Sequence, residues 1–262
     1  MFIFVVAISR LVVLLLALSA ILVAGRFCHD RYLGAGRRLA RGLFAAVGVV
    51  GVAALTPFLL ASAALIRGTA ASYSYDWATA DHYYWLHEQF GGHKTDVVMD
   101  LWAAAQINRG HFADAYALLL SRSRDREGLV MSANRLALVA MCEYYLGRFS
   151  DANLTFQALS ARGAGFLPDY FLGRLAERDG SIVRALLHYR RSFAQVPHFY
   201  PTVYQLVRLD VATGDRSAAL ADLERYLAAT RLKEPTEIAS WRAALVAGVL
   251  CLPEKEFRVI VH

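Results

Sequence analysis

The sequence predicts an all-α protein: an N-terminal two-helix transmembrane hairpin, then an α-solenoid of about four helix pairs with a C-terminal capping helix. Three observations lead to this prediction. Two long apolar segments come first, a glycine-containing phrase returns at near-constant spacing, and one more amphipathic segment precedes the tail. The predicted divisions are a hairpin over 1–68, an aromatic linker over 69–95, a solenoid over 96–252 and a tail over 253–262.

The two apolar segments are both long enough to cross a membrane. Phe2–Gly25 carries one charge in 24 residues, and Gly42–Ile66 carries none in 25. A transmembrane helix needs about 20 apolar residues. A cleaved signal peptide is the alternative for the first segment, but its start is apolar rather than basic and a second span follows at once.

The loop between the spans, Arg26–Arg41, contains five arginines and a single acid, Asp30. Short loops rich in Lys and Arg stay in the cytoplasm, so we expect both termini and the solenoid on the opposite side. Heavy use of Ala and Arg with little Lys suits a high-GC bacterium, which would make the location the inner membrane and the periplasm. The formal charge of +6 does not indicate nucleic-acid binding, because this loop accounts for much of it.

Three residues of the spans are candidates for contacts inside the membrane. Arg10 lies about eight residues inside the first apolar segment, where an unpaired charge costs a few kcal/mol. Either the span begins near Leu11, or an acid or anionic lipid pairs with Arg10. Gly48 and Gly51 form a small-residue face suited to close helix packing, within the hairpin or against a partner.

The linker over 69–95 is dense in aromatic residues, which favour the headgroup layer of a membrane. We expect an interfacial belt in which Thr79 caps a short helix that ends at Gly91–Gly92. Three histidines lie on different faces of such a helix, which does not favour a metal site: His82, His87 and His93.

The repeated phrase has the form Gly-x-apolar-x-x-Ala. It begins at Gly110, Gly147, Gly180 and Gly214, so the intervals are 37, 33 and 34 residues. A period near 34 in an Ala- and Leu-rich chain is typical of helix-turn-helix units. Such units cannot bury their apolar faces alone, so several must stack.

This repeat resembles the tetratricopeptide repeat over about Asp96–Lys233. In that family a Gly ends the first helix, small residues stand seven before and five after it, and a large apolar residue stands nine after it. The small residues before the Gly are Ala103, Ala140, Gly173 and, as an exception, Val207. Those after it are Ala115, Ala152, Ala185 and Ala219, and the large residues are Leu119, Phe156, Tyr189 and Leu223. Arg216 replaces the apolar residue of the fourth phrase, so this unit matches least well. The alternative is an irregular helical bundle with chance spacing.

The resemblance implies a concave groove, lined by first-helix residues, that binds another protein. Ten positions form this predicted groove: Asn134, Leu138, Met141, Tyr145, Tyr170, Phe171, Arg174, Arg178, Tyr204 and Arg208. Tyr and Arg are enriched at binding hot spots, so we expect an extended peptide of acidic or aromatic character. The alternative is that these arginines are merely solvated. Asp100 and Leu167 stand where chaperone-binding members use Lys, which disfavours a chaperone-tail clamp.

One further helix, Thr236–Leu252, is predicted to cap the solenoid, with Trp241, Leu245 and Val249 on its apolar side. The chain has no phosphate-binding Gly loop, no His-Glu-x-x-His and no paired-Cys spacing, so no catalytic residue, metal or cofactor is predicted. We therefore expect a non-enzymatic, membrane-anchored scaffold whose partners are the lipid bilayer and other envelope proteins. The alternative is a constitutive subunit of a larger inner-membrane complex for secretion, polysaccharide export, electron transfer or cytochrome maturation. An envelope-modifying enzyme that uses acids between Asp76 and Glu88 is less favoured.

Overall fold

A computed structural model describes residues 36–121, 131–230, 236–249, 251, 252 and 257. All secondary structure within these residues is helical, which confirms the all-α prediction for them. The first predicted span, Phe2–Gly25, and Arg10 within it lie outside the described residues. The chain divides into two compact units, with the boundary between Thr95 and Asp96.

The first unit contains α1 (Gly36–Tyr73) and α2 (Trp77–Gln89), which pack against each other. Helix α1 begins inside the segment predicted as a loop, where Arg37–Arg41 are good helix formers, and it continues beyond the predicted end at Ile66 to Tyr73. Within the described residues, one segment is long and apolar enough to cross a membrane. It is Gly51–Tyr73, with 23 residues and a mean hydropathy of 1.5.

Small residues at helical spacing on α1 allow α2 to approach it closely. Ala61, Ala64 and Ala71 are buried, and a Cβ at Gly68 would lie 3.1 Å from the ring of Tyr84. Close contact at small residues is a general way for apolar helices to associate. Among the described residues, a Cβ at Gly48 or Gly51 would meet nothing within 4 Å, and packing of these two glycines within the hairpin or against a partner stays a prediction.

Side-chain interactions fix helix α2 near both of its ends. The Asp76 carboxylate accepts a hydrogen bond from the Thr79 amide at 3.2 Å, so Asp76 is the N-cap and the prediction of Thr79 as the cap was wrong. Near the other end, the buried His87 Nδ1 lies 2.8 Å from the Ala61 carbonyl oxygen on α1. Glu88 forms an ion pair with Lys94.

The second unit is a series of helix pairs followed by one helix. The bounds are α3 (Asp96–Arg109), α4 (Phe112–Ser121), α5 (Ala133–Tyr145), α6 (Phe149–Ala161), α7 (Phe166–Arg178), α8 (Ile182–Gln195), α9 (Tyr200–Ala212), α10 (Arg216–Thr230) and α11 (Thr236–Ala247). Each helix packs against its neighbours in the chain, and α3 also packs against α5. The first helices of the four pairs are α3, α5, α7 and α9.

The repeated positions play the structural roles that their spacing predicts. Each repeated Gly has a positive φ, between 72° and 86°, just after the first helix of its pair. Glycine adopts this conformation without strain and commonly ends helices. The predicted small residues are buried at the helix crossings, and the four large apolar residues nine after each Gly have no exposed surface.

The closing helix α11 is shorter than predicted. It ends at Ala247 because Gly248 has φ +74° and its carbonyl oxygen accepts from Arg216 Nη2 at 2.8 Å. Trp241 and Leu245 are buried as predicted, whereas Val249 is 73% exposed. Arg216, which breaks the repeat pattern, therefore contacts the end of the last helix.

Candidate protein-binding groove

The ten residues of the predicted groove lie on α5, α7 and α9, but the structure exposes only part of them. Asn134 and Arg178 are exposed, and Tyr145 and Arg208 are partly exposed. The other six are buried: Leu138, Met141, Tyr170, Phe171, Arg174 and Tyr204. These six side chains are therefore not open to solvent in this structure, and their role in binding a partner stays a prediction.

Aromatic packing between successive helix pairs is the physical reason for this burial. The ring of Phe171 stacks on Phe156 of α6, with centroids 4.9 Å apart, and meets the ring of Tyr144 on α5 edge-on at 5.1 Å. Tyr170 contacts Phe199, just before α9, at 5.5 Å. Large side chains on the first helices thus fill the space between units instead of facing solvent.

Arg174 is a buried cation rather than a peptide-binding one. It has 8% of its surface exposed and interacts with Tyr144, Tyr170 and Tyr189. A buried guanidinium is tolerated when surrounding oxygens replace its lost hydration. The phenols supply those oxygens, so Arg174 joins α5, α7 and α8.

Arg208 also has an intramolecular partner. It forms an ion pair with Glu177 on α7, and Glu177 in turn accepts from the hydroxyl of Tyr189. Its Nε donates to Gln205 at 2.9 Å. Charge-assisted hydrogen bonds of this kind are stronger than neutral ones, so Arg208 links α9 to α7.

Arg178 keeps its surface open to solvent. Its guanidinium carbon lies 3.6 Å from the centre of the Phe149 ring, which holds the side chain by a cation–π contact. Asn134 is exposed in the first turn of α5, two residues after the N-cap Ser132. These two residues are the most accessible part of the predicted groove.

An unpredicted contact brings Phe257 onto the first helices α5 and α9. Phe257 meets the rings of Tyr200 and Tyr204 edge-on, at 5.5 and 5.0 Å. Tyr145 on α5 donates from its hydroxyl to the Phe257 carbonyl oxygen at 3.4 Å. Trp241 on α11 lies 5.3 Å from Tyr204. We call Tyr145, Tyr200, Tyr204 and Trp241 the aromatic seat.

The hydroxyl of Tyr200 is buried near the carboxylate of Glu237, in the first turn of α11. Burial raises the pKa of this phenol, and Glu237 raises it further.

Tyr200 and Phe257 were not among the predicted site residues. Phe257 is the one aromatic residue in the tail over 253–262 and directly follows the charged run Glu254–Glu256. An aromatic residue isolated among charged residues was the sequence feature that could have indicated this contact.

A buried ion pair on the first helices was also missed. Arg135 on α5 is 7% exposed, with its Nε 2.7 Å from Asp100 and Nη1 3.0 Å from Asp96. Both acids lie on α3, so the ion pair joins the first two helix pairs of the second unit. Burial raises the pKa of Asp100, while the contacts with Arg135 oppose that rise.

Comparison with models of known protein families gives no match for this chain. Among curated proteins, none shows significant sequence similarity to it. The function therefore has to be inferred from the residues and contacts described above.

Proposed function

We propose that this chain is a membrane-anchored scaffold of the tetratricopeptide type that holds another envelope protein, or a peptide from it, on its first helices. The observation that carries the proposal is the position of Phe257, which contacts both α5 and α9. These helices are the first helices of the second and fourth pairs. A single point of the chain thus reaches first helices two units apart, and stacked helical repeats bind extended segments on such a surface.

The segment Gly51–Tyr73 is the anchor in this proposal. Val52 and Ile66 on it are 66% and 57% exposed, as suits side chains that face lipid. With the arginines of 26–41 on the cytoplasmic side, the repeats of a bacterial protein would work in the periplasm. Anchoring raises the effective concentration of the scaffold for a membrane-bound or newly exported partner.

The test is co-purification of partners from native membranes in mild detergent. The informative variant changes only accessible residues of the groove, Asn134→Ala together with Arg178→Glu, so that the helices stay intact. Arg191→Glu is the matched control, because Arg191 is an exposed arginine on the second helix α8. We expect the double variant to lose a partner that the wild type and the Arg191→Glu chain retain. The same partners in all three samples would contradict binding through these residues.

A constitutive subunit of a larger inner-membrane complex is the second candidate, and exposed apolar residues on the second helices favour it. Leu154 on α6 and Val183 and Leu187 on α8 are 66%, 82% and 50% exposed. Apolar residues clustered on a surface often mark an interface. In this case Val183→Asp with Leu187→Asp would release the chain from its complex in native gels, and the groove variant would not.

A further inference from the structure

We propose that the aromatic seat is the recognition site for an extended peptide bearing a phenylalanine-like side chain, and that Phe257 occupies it as an internal competitor. This inference rests on the proposed scaffold function and names the class of partner segment. It also implies that a partner has to displace Phe257 in order to bind.

The seat is selective for an aromatic ring because of its geometry. The Phe257 ring stands at 89° to the ring of Tyr200 and at 70° to that of Tyr204. Edge-to-face contacts join the positive edge of one ring to the negative face of another, which an aliphatic side chain cannot reproduce. Trp241 contacts the same two tyrosines, stacked on Tyr200 at 6.0 Å and edge-on to Tyr204 at 5.3 Å.

The seat also recognises peptide backbone. The Tyr145 hydroxyl donates to the main-chain carbonyl of Phe257, a group that every peptide offers. The Tyr200 hydroxyl is buried in the same seat, near the carboxylate of Glu237 on α11.

Because Phe257 of the same chain occupies the aromatic seat, a separate peptide has to compete with it for binding. A short tether keeps its ligand at an effective concentration of about millimolar. A separate peptide at micromolar concentration therefore binds weakly while Phe257 is in place. Removing the Phe257 ring should open the seat without changing its walls.

The experiment uses the full chain in detergent and a fluorescein-labelled peptide with the sequence of residues 252–262. Fluorescence anisotropy measures its binding to wild type and to Phe257→Ala. We expect at least about 10-fold tighter binding to Phe257→Ala, because the tethered competitor is lost. A peptide with Ala in place of Phe257 should bind neither chain. Adding Tyr145→Phe to Phe257→Ala should weaken peptide binding by about 2- to 10-fold through loss of one hydrogen bond. Tyr116→Phe, which removes a hydroxyl outside the seat, should not.

Two results would overturn the inference: equal binding of the Phe and Ala peptides, or no binding of the Phe peptide to Phe257→Ala. Thermal melting monitors the fold of each variant. If Phe257→Ala unfolds, Phe257→Leu replaces it, since leucine keeps apolar bulk without the ring, and the same comparison of peptides applies. A partner that co-purifies in a groove-dependent way, while the peptide fails to bind, would retain the scaffold proposal and reject the seat.

Discussion

Gly173→Ala should destabilise the repeat unit although alanine is the better helix former. A Cβ at this position of α7 would lie 2.5, 2.7 and 2.9 Å from three atoms of the Tyr189 ring. The ring cannot move aside, because it is fully buried and its hydroxyl donates to Glu177. Overpacking costs about 1–3 kcal/mol, and this site belongs at the upper end. The higher helix propensity of alanine offsets about 1 kcal/mol of this cost, so we expect the free energy of unfolding to fall by about 2 kcal/mol.

Circular dichroism at the helical band, followed during heating of the detergent-purified chain, measures this loss. A loss of about 2 kcal/mol corresponds to a decrease in Tm of about 4–8 °C for a unit of this size. The matched background is Tyr189→Leu, which with Gly173→Ala reproduces the residues at the same positions of the first helix pair, Ala103 and Leu119. In that background Gly173→Ala should be neutral or stabilising. An equal loss in both backgrounds, or a higher Tm for the single variant, would refute the steric argument.

Three further predictions concern other packed groups. Gly92→Ala should destabilise the first unit by about 1–3 kcal/mol, because the new Cβ would lie 2.2–2.4 Å from atoms of the His87 ring. Faster proteolytic cleavage between α1 and α2 would show this loss. Arg135→Met should cost about 3 kcal/mol in thermal melts, because the Asp100 carboxylate, whose side chain is 14% exposed, then loses its cation. Recovery of stability on adding Asp100→Leu to the same chain would confirm the cause. Burial raises the pKa of Asp210 from 3.8 to about 6, partly offset by Arg190. The folded state therefore favours the protonated acid, so this group destabilises the fold above pH 6 and ceases to do so as the pH falls toward 4. Asp210→Asn should gain up to about 3 kcal/mol relative to wild type between pH 4 and pH 8, and a pH-independent difference would contradict this.

The helix pairs could be predicted because their determinants are local. A repeated Gly such as Gly180 ends a helix through its own backbone conformation, and Ala185 five residues later meets the preceding helix at the crossing. Such contacts join residues close in the chain, so spacing alone indicates them. The same is true of the apolar length of Gly51–Tyr73, which composition shows directly.

The accessible part of the groove could not be predicted, because exposure depends on what covers each helix. Tyr170 and Arg174 stand at positions that line the binding groove in the tetratricopeptide family, which this repeat resembles. In this chain, however, the ring of Phe199 packs on Tyr170, and the phenols of Tyr144 and Tyr189 interact with Arg174. Nothing in the spacing of α7 shows how large the side chains of the next unit are at the contact.

The sequence by itself determined the helical architecture, the positions of the turns and one segment with the length and apolarity of a membrane span. Tertiary structure alone decided which first-helix residues stay accessible. It also decided that Arg135 pairs with acids 35 and 39 residues away, and that Phe257 contacts Tyr145, 112 residues earlier in the chain. The physical reason is the range of the interactions. Helix formation and turn geometry depend on neighbours within a few residues, whereas burial and pairing of side chains depend on elements that meet only after the whole array has stacked.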